Sequence, residues 1–358
     1  MRLRMRIAAA MFLAVVFGAV SSAQLESGKA ELKSAGPLAF GPEGVLFVGD
    51  SAGAAVWVLD TADRKAREGE AVDIKGINEK VAALLGSAPD QIKIQDIAVN
   101  PISKNIYLSV ARGPEATPVI LRADGTGKLT EVSLENIKFD RVSLPDAPSA
   151  DAKDRRGQSV RLETITDLGF VDGKVVIAGL SNEEFSSSLR SIPYPFKEAD
   201  KGSSIEIFHG AHGRFETNAP VRTFVNYDID KKPHILAAYT CTPLVRIPVS
   251  ELKPGNKVKG TTIAELGNRN RPLDMIVYKK DGKDYFLMAN SSRGVMKLPA
   301  EKLDSYTPIT AQTEKQGVPY ETLSQFQGVQ QLDKFNDTTA LMLIADAGSM
   351  NLKTVPLP

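Results

Sequence analysis

The sequence predicts an all-β fold, a six-bladed β-propeller of four-stranded antiparallel blades with a short helical insertion between blades 1 and 2. Three observations predict it. The chain has 358 residues, long for an ordinary domain but normal for one large all-β toroid. A pattern of short apolar strand, polar turn, second apolar strand and third strand recurs six times. Gly, Asp, Asn and Lys mark the turns between strands, as in antiparallel meanders. One such meander cannot bury both faces, whereas radial stacking buries them and leaves few edges.

The copies begin at Pro37, Asp96, Asp167, Arg222, Asp274 and Gly328. The first reads Pro37-Leu-Ala-Phe, a Gly-Pro-Glu-Gly turn, Val45-Leu-Phe-Val-Gly-Asp-Ser and Ala55-Val-Trp-Val-Leu-Asp. The second gives Asp96-Ile-Ala-Val, Ile106-Tyr-Leu-Ser-Val-Ala-Arg and Pro118-Val-Ile-Leu-Arg. The third gives Asp167-Leu-Gly-Phe and Val175-Val-Ile-Ala-Gly-Leu-Ser-Asn, its third strand delayed to Ser204–Phe208. Arg222-Thr-Phe-Val leads to Ile235-Leu-Ala-Ala-Tyr-Thr-Cys and Leu244-Val-Arg-Ile-Pro-Val, and Asp274-Met-Ile-Val to Tyr285-Phe-Leu-Met-Ala-Asn-Ser and Gly294-Val-Met-Lys-Leu. Gly328-Val-Gln-Gln-Leu leads to Leu341-Met-Leu-Ile-Ala-Asp and Asn351-Leu-Lys-Thr-Val. The last copy has three strands, so Lys29 to Ala35 is expected to supply the fourth and close the ring. Between blades 1 and 2, Asn78-Glu-Lys-Val-Ala-Ala-Leu-Leu-Gly86 reads as a short helix with an Asn cap and a Gly stop.

The Asp-Ile-Ala-Val and Asn-Ile-Tyr-Leu-Ser-Val pattern of residues 96–110, with its degenerate copies, resembles the six-bladed propellers of the NHL, YncE-like and TolB-like group. That resemblance covers nearly the whole chain after the N-terminal segment. Such folds host sensors, scaffolds, lactonases and other hydrolases, so it implies an architecture rather than a reaction.

Composition bounds the function. Hydrophobic residues are 42% and charged residues 24%, ordinary for a globular chain. Lys and Arg number 44 against 43 acidic residues, and a formal net charge of +1 gives no reason to expect a nucleic-acid partner. Arg2, Arg4 and Arg6 precede the apolar and small run Ile7–Val20 and then Ser21-Ser-Ala23. This is the layout of a secretory signal cut after Ala23, leaving 24–358 as a single propeller domain in the periplasm or outside the cell. An uncleaved anchor is the alternative, but the run falls short of the roughly 20 residues that cross a bilayer. No transmembrane segment is expected after cleavage. Cys241 is the only cysteine, so no intramolecular disulfide forms and stability must come from the core.

In a propeller, the loops before each first strand and between second and third strands open on one face, here the top. Three long segments, 61–94, 135–163 and 181–203, are all expected there. The same face collects Asp50, Arg112, Asn182, Glu183, Cys241, Asn290, Arg293 and Asp346 as candidate ligand-binding residues. Asp and Asn at turn ends also cap loops by bonding backbone amides, which is the plainer reading of several of them.

No Gly-x-Ser-x-Gly elbow accompanies the three histidines, so a serine triad lacks its parts. His209, His212 and His234 are expected together on the bottom face, by default as solvated imidazoles around a Gly-rich hairpin, with a zinc or copper site the alternative. Cys241 is expected at the channel mouth, by default as a small buried hydrophobe. The leading expectation is an exported propeller that binds a small ligand or an extracytoplasmic protein through its top face, with no cofactor and no catalysis of its own. The alternative, implied by the resemblance, is a calcium-dependent hydrolase of the lactonase or esterase type. Asp96, Asp167, Asn182, Asp274 and Asn290 are then the candidate oxygen ligands for Ca2+.

Overall fold

Each second strand is apolar at nearly every position rather than at alternate ones. Leu46–Asp50 and the stretch Ile106–Val110 of the strand Ile106–Arg112 are buried throughout. A continuous apolar run of this length needs cover on both faces of its sheet. In the computed structural model, which describes residues 25–67, 71–241 and 243–358, neighbouring blades provide that cover. Six sheets surround a channel, their innermost strands being Leu38–Phe40, Ile92–Val99, Asp167–Val171, Val221–Ile229, Pro272–Lys280 and Val329–Lys334. The predicted all-β six-bladed propeller is the fold.

The hydrophobic core is six seams rather than one ball. Separate clusters lie between blades 1 and 2, 1 and 3, 3 and 4, 4 and 5, 5 and 6, and 2 and 6. The order around the ring is therefore 6-2-1-3-4-5, with the first two blades exchanged relative to the chain. The exchange follows from two strands. Ile137–Ser143, which comes after blade 2, returns to pair with Ala55–Asp60 and becomes the fourth strand of blade 1. Asp73–Ile74, which precedes blade 2, pairs with Leu352 and Lys353 and becomes the fourth strand of blade 6.

Ring closure thus differs from the expectation. Lys29–Ala35 forms no strand, and Glu26–Gly28 adds a fifth strand to blade 1 outside Ile137–Ser143. The residue that clips the ring shut is Ile74, buried in the blade 2–blade 6 seam with Val72 and Ile77. The predicted helix is present as Ile77–Leu85, stopped by Gly86 in the left-handed conformation. Asn78 does not cap it: Gly76 is the N-cap, and the Asn78 side chain accepts the Met350 amide at 2.8 Å, tying the helix to blade 6.

Blade 3 contains a strand that sequence patterning passes over. Its third strand is Ser187–Pro193, and Ser203–His209 is the fourth. Arg190 sits fully inside, paired with the buried Asp146, which is how a polar sequence becomes an inner strand. No helix among the described residues is long and apolar enough to cross a membrane.

If Ile74 closes the ring, Ile74→Ala should cost roughly 2–5 kcal/mol and lower the melting temperature sharply. Leu32→Ala, in the half-buried segment first expected to close it, should cost clearly less, as measured by denaturant unfolding.

Candidate functional site

The channel is lined from all six blades around a cavity of about 360 Å3. Four inner strands carry a register shift just before the residue that turns inward, between Ile94 and Asp96, Val221 and Thr223, Pro272 and Asp274, and Val329 and Gln331. A bulge there re-aims the next side chain. Around the ring the equivalent positions read Asp96, Pro37, Asp167, Thr223, Asp274 and Gln331, so an aspartate stands on every second blade. Asp333 follows two residues beyond Gln331 on the same strand face.

Each of these four carboxylates bridges two blades. One oxygen accepts the amide of the following residue, Ile97, Leu168, Met275 or Lys334. The other accepts an amide of the next blade: Asp96 takes Leu38 at 2.7 Å, Asp167 takes Phe224 at 2.7 Å, Asp274 takes Leu332 at 2.8 Å and Asp333 takes Val99 at 2.7 Å. All four point the same way around the ring. They keep some accessible area because they border the channel, but protein surrounds them, so their charges are poorly solvated. Burial, then repulsion from Asp167 and Asp333, holds Asp96 well above the carboxylate range. Asp274 is raised by burial and by Asp96 and Asp167. Burial pushes Asp167 up to about 7 and Asp333 to about 6 against the amides that stabilise their charged forms.

Other predicted residues lie elsewhere. Asp50 is buried and spent on its own blade, accepting the amides of Lys33, Ser34 and Gly53 at 2.8–2.9 Å and the Trp57 indole at 3.3 Å. Charge reversal at Asp50 therefore reads out stability rather than binding. Asn290 is buried, its amide shared with Asn270 and the Met288 carbonyl. Arg293 donates to the Asn268 carbonyl, Glu183 pairs with Lys201, and Asn182 and Asp346 are exposed. Arg112 is half-buried, near the blade 2 turn. Of the five candidate calcium ligands, Asp96, Asp167 and Asp274 share the channel; Asn182 and Asn290 are not among its lining residues.

Not all of the long segments lie on top. Residues 61–67 pack on the bottom turn of blade 2, where Asp63 accepts from Ser103, Asn105 and Tyr107. Tyr194 and Phe196 lie past the bottom end of Ser187–Pro193, in an aromatic cluster with Phe47 and Phe170. The top keeps the helix Ile77–Leu85, residues 144–166 and the loop 181–186.

The additional strand in blade 3 also moves the histidines. With Ser187–Pro193 running down, Ser203–His209 runs up, so His209 and His212 reach the top rim, against expectation. They meet Cys241, at the tip of the adjacent blade 4 turn: one ring nitrogen of each histidine and the thiol sulfur lie within 4.8 Å of one another. The imidazoles lie 3.9 Å apart, and the Nδ1 atoms of both sit 2.7 Å from the two oxygens of Glu216. Burial works against Glu216, but both imidazoles prevail and hold it down at about 2. Gly210, between the histidines, donates to Glu265, whose carboxyl burial pushes up to about 8; a Cβ at Gly210 would meet Glu265 Cγ at 2.7 Å. His234 stays apart, half-buried at the start of Lys232–Tyr239 with Nδ1 2.8 Å from the Lys232 carbonyl.

No protein-family model and no curated protein matches the chain. Solved structures do match. The chain is similar to a streptogramin B lyase at 11% identity, covering 93% of this chain and 97% of that one with a TM-score of 0.36. It is also similar to the PQQ-bound aldose sugar dehydrogenase of Streptomyces coelicolor at 11% identity, covering 92% and 96% with a TM-score of 0.34. The likeness is one of fold. At these identities and scores it carries nothing about substrate or cofactor.

The carboxylate array makes a signed prediction. A carboxyl raised in the folded state holds its proton there after the unfolded chain has lost it. Stability is then greatest on the acid side and falls as pH rises from about 4 to about 7, the window set by Asp333 and Asp167. Each pH unit crossed by one such group is worth at most about 1.4 kcal/mol. The melting temperature should be lower at pH 8 than at pH 5; a rise over that interval contradicts the assignment.

Proposed function

We propose that the protein is an exported propeller that binds a small ligand or a partner at the mouth of its channel, without catalysis of its own. The observation that supports this most is the cavity on which four carboxylates and side chains of all six blades converge. Two of those carboxylates face mutual repulsion in a poorly solvated space. A cation relieves that repulsion, so the ligand class is a small organic or inorganic cation, free or at the end of a partner's side chain. Among the described residues the lining includes no histidine, cysteine, serine or lysine, and its hydroxyls are those of Thr166 and Thr223.

A second reading is favoured by Asp96, Asp167 and Asp274 standing on alternate blades: a calcium ion over the channel, serving a hydrolase of the lactonase or esterase type. Export rests on the basic and apolar N-terminal segment, residues 1–23, which lies outside the described residues. Expressed in full and fractionated, the protein should be recovered outside the cytoplasm with Gln24 at its N-terminus; an intact Met1 in the membrane fraction points to the anchor instead.

Putrescine and calcium chloride, titrated separately at pH 8, should each raise the melting temperature saturably, and less so at pH 5. Gln331→Lys places an ammonium among the carboxylates, so it should raise the pH 8 melting temperature and abolish the response to both. A response to calcium alone, lost on chelation and accompanied by calcium-dependent hydrolysis of lactone or ester substrates, selects the hydrolase reading. No response to either cation overturns binding in the channel.

A further inference from the structure

The cluster on the top rim is separate from the channel and has the chemistry of a metal seat. His209 is 2% exposed, and its Nε2 has no hydrogen-bond partner although the atom is fully enclosed. An imidazole nitrogen buried without a partner is unfavourable unless something occupies the place it faces. Glu216 explains its preparation. With an ionised carboxylate accepting at both Nδ1 positions, each histidine carries its proton on Nδ1 and turns a lone pair outward on Nε2. Metal-binding histidines are oriented in this way, the far nitrogen donating to a carboxylate that fixes tautomer and ring angle. The third donor, the Cys241 sulfur, comes from the neighbouring blade and lies within 4.8 Å of one ring nitrogen of each histidine.

We propose that His209, His212 and Cys241 form a binding site for a late first-row cation, zinc or copper, with Glu216 as the positioning carboxylate behind both imidazoles. Two nitrogens and a thiolate select zinc or copper over calcium or magnesium, which take oxygen donors. Three protein ligands leave a coordination position open, since structural zinc sites ordinarily use four. His212, with 44% of its side chain exposed, is the side from which an exogenous ligand reaches the ion. The two blades contribute through adjacent turn tips, so the cation also cross-links them at the rim.

The test uses the full chain, reduced and stripped with a chelator, then titrated with Co2+ followed in absorbance. One equivalent should produce a near-ultraviolet thiolate-to-cobalt band together with visible bands of a tetrahedral centre, and Zn2+ should bleach both. Cys241→Ser should remove the thiolate band. His212→Ala, at an exposed position that folding tolerates, should weaken binding at least tenfold, while His234→Ala should change nothing. Glu216→Gln should weaken binding with the thiolate band retained, as expected of a positioning residue. Competition with a copper(I) chelator then decides between copper and zinc as the tighter occupant. Sub-stoichiometric cobalt, a thiolate band surviving in Cys241→Ser, or unchanged affinity in His212→Ala would each overturn the site. Because Gln331→Lys leaves the rim intact, it should bind cobalt as the unaltered protein does, which separates this site from the channel.

Discussion

The whole ring depends on blades covering one another's faces. A central strand such as Leu341–Leu343 or Phe286–Ala289 is apolar on both sides of its sheet, so an isolated blade would leave half of that surface in water. Each seam removes the exposed half of two blades at once, which makes the six seams mutually dependent. Closure is part of the same constraint. Were blades 2 and 6 to separate, Ile97, Val99, Leu341 and Leu343 would all be uncovered, and the short strand Asp73–Ile74 is what spans the chain's discontinuity there.

Seams made of aliphatic side chains hold blades together without setting their height, and the aspartates supply that. A carboxylate accepts on both oxygens, so one side chain ties an amide of its own strand to an amide of the next. An asparagine offers one acceptor, and its amino group would face the second donor. The acid is therefore suited to the joint even though it brings charge into a confined space. The cost appears in the raised positions of Asp96 and Asp274, which face each other's charge across the channel in addition to losing water. The same property that locks the blades leaves the channel lined with poorly solvated carboxylates.

Blade number and the first two strands of each blade were legible because apolar runs between Gly, Asp and Lys turns survive in every copy. The order of blades was not, because a run such as Val45–Val48 or Ile106–Val110 has no address: either packs against any flat apolar face. Asp96, Asp167 and Asp274 were visible as a repeated first-strand residue. Asp333 was missed because it enters the same cavity one alternation later, after Gln331, and a register of two in a strand is the signal that would have found it. Ser187–Pro193 was missed for a different reason. Its Ser-Ser-Leu-Arg-Ser-Ile-Pro sequence reads as loop, and it becomes a strand only because Asp146, from the segment 144–166, neutralises Arg190 inside the blade.

The strand Ser187–Pro193 has a long reach, since each strand reverses direction and one more exchanges top for bottom for everything after it in the blade. It carries His209 and His212 to the rim and beside Cys241, residues with no sequence proximity to suggest a common site. Here turn tips that open on the same face of adjacent blades meet at the rim, so the propeller assembles donors from distant segments without a dedicated loop. The rim cluster draws its character from imidazole and thiol donors oriented by Glu216, whereas the channel draws its own from carboxylates confined together. A soft cation and a hard or organic one would therefore partition between the two on donor chemistry alone. The rim cluster and the channel lining have no residue in common.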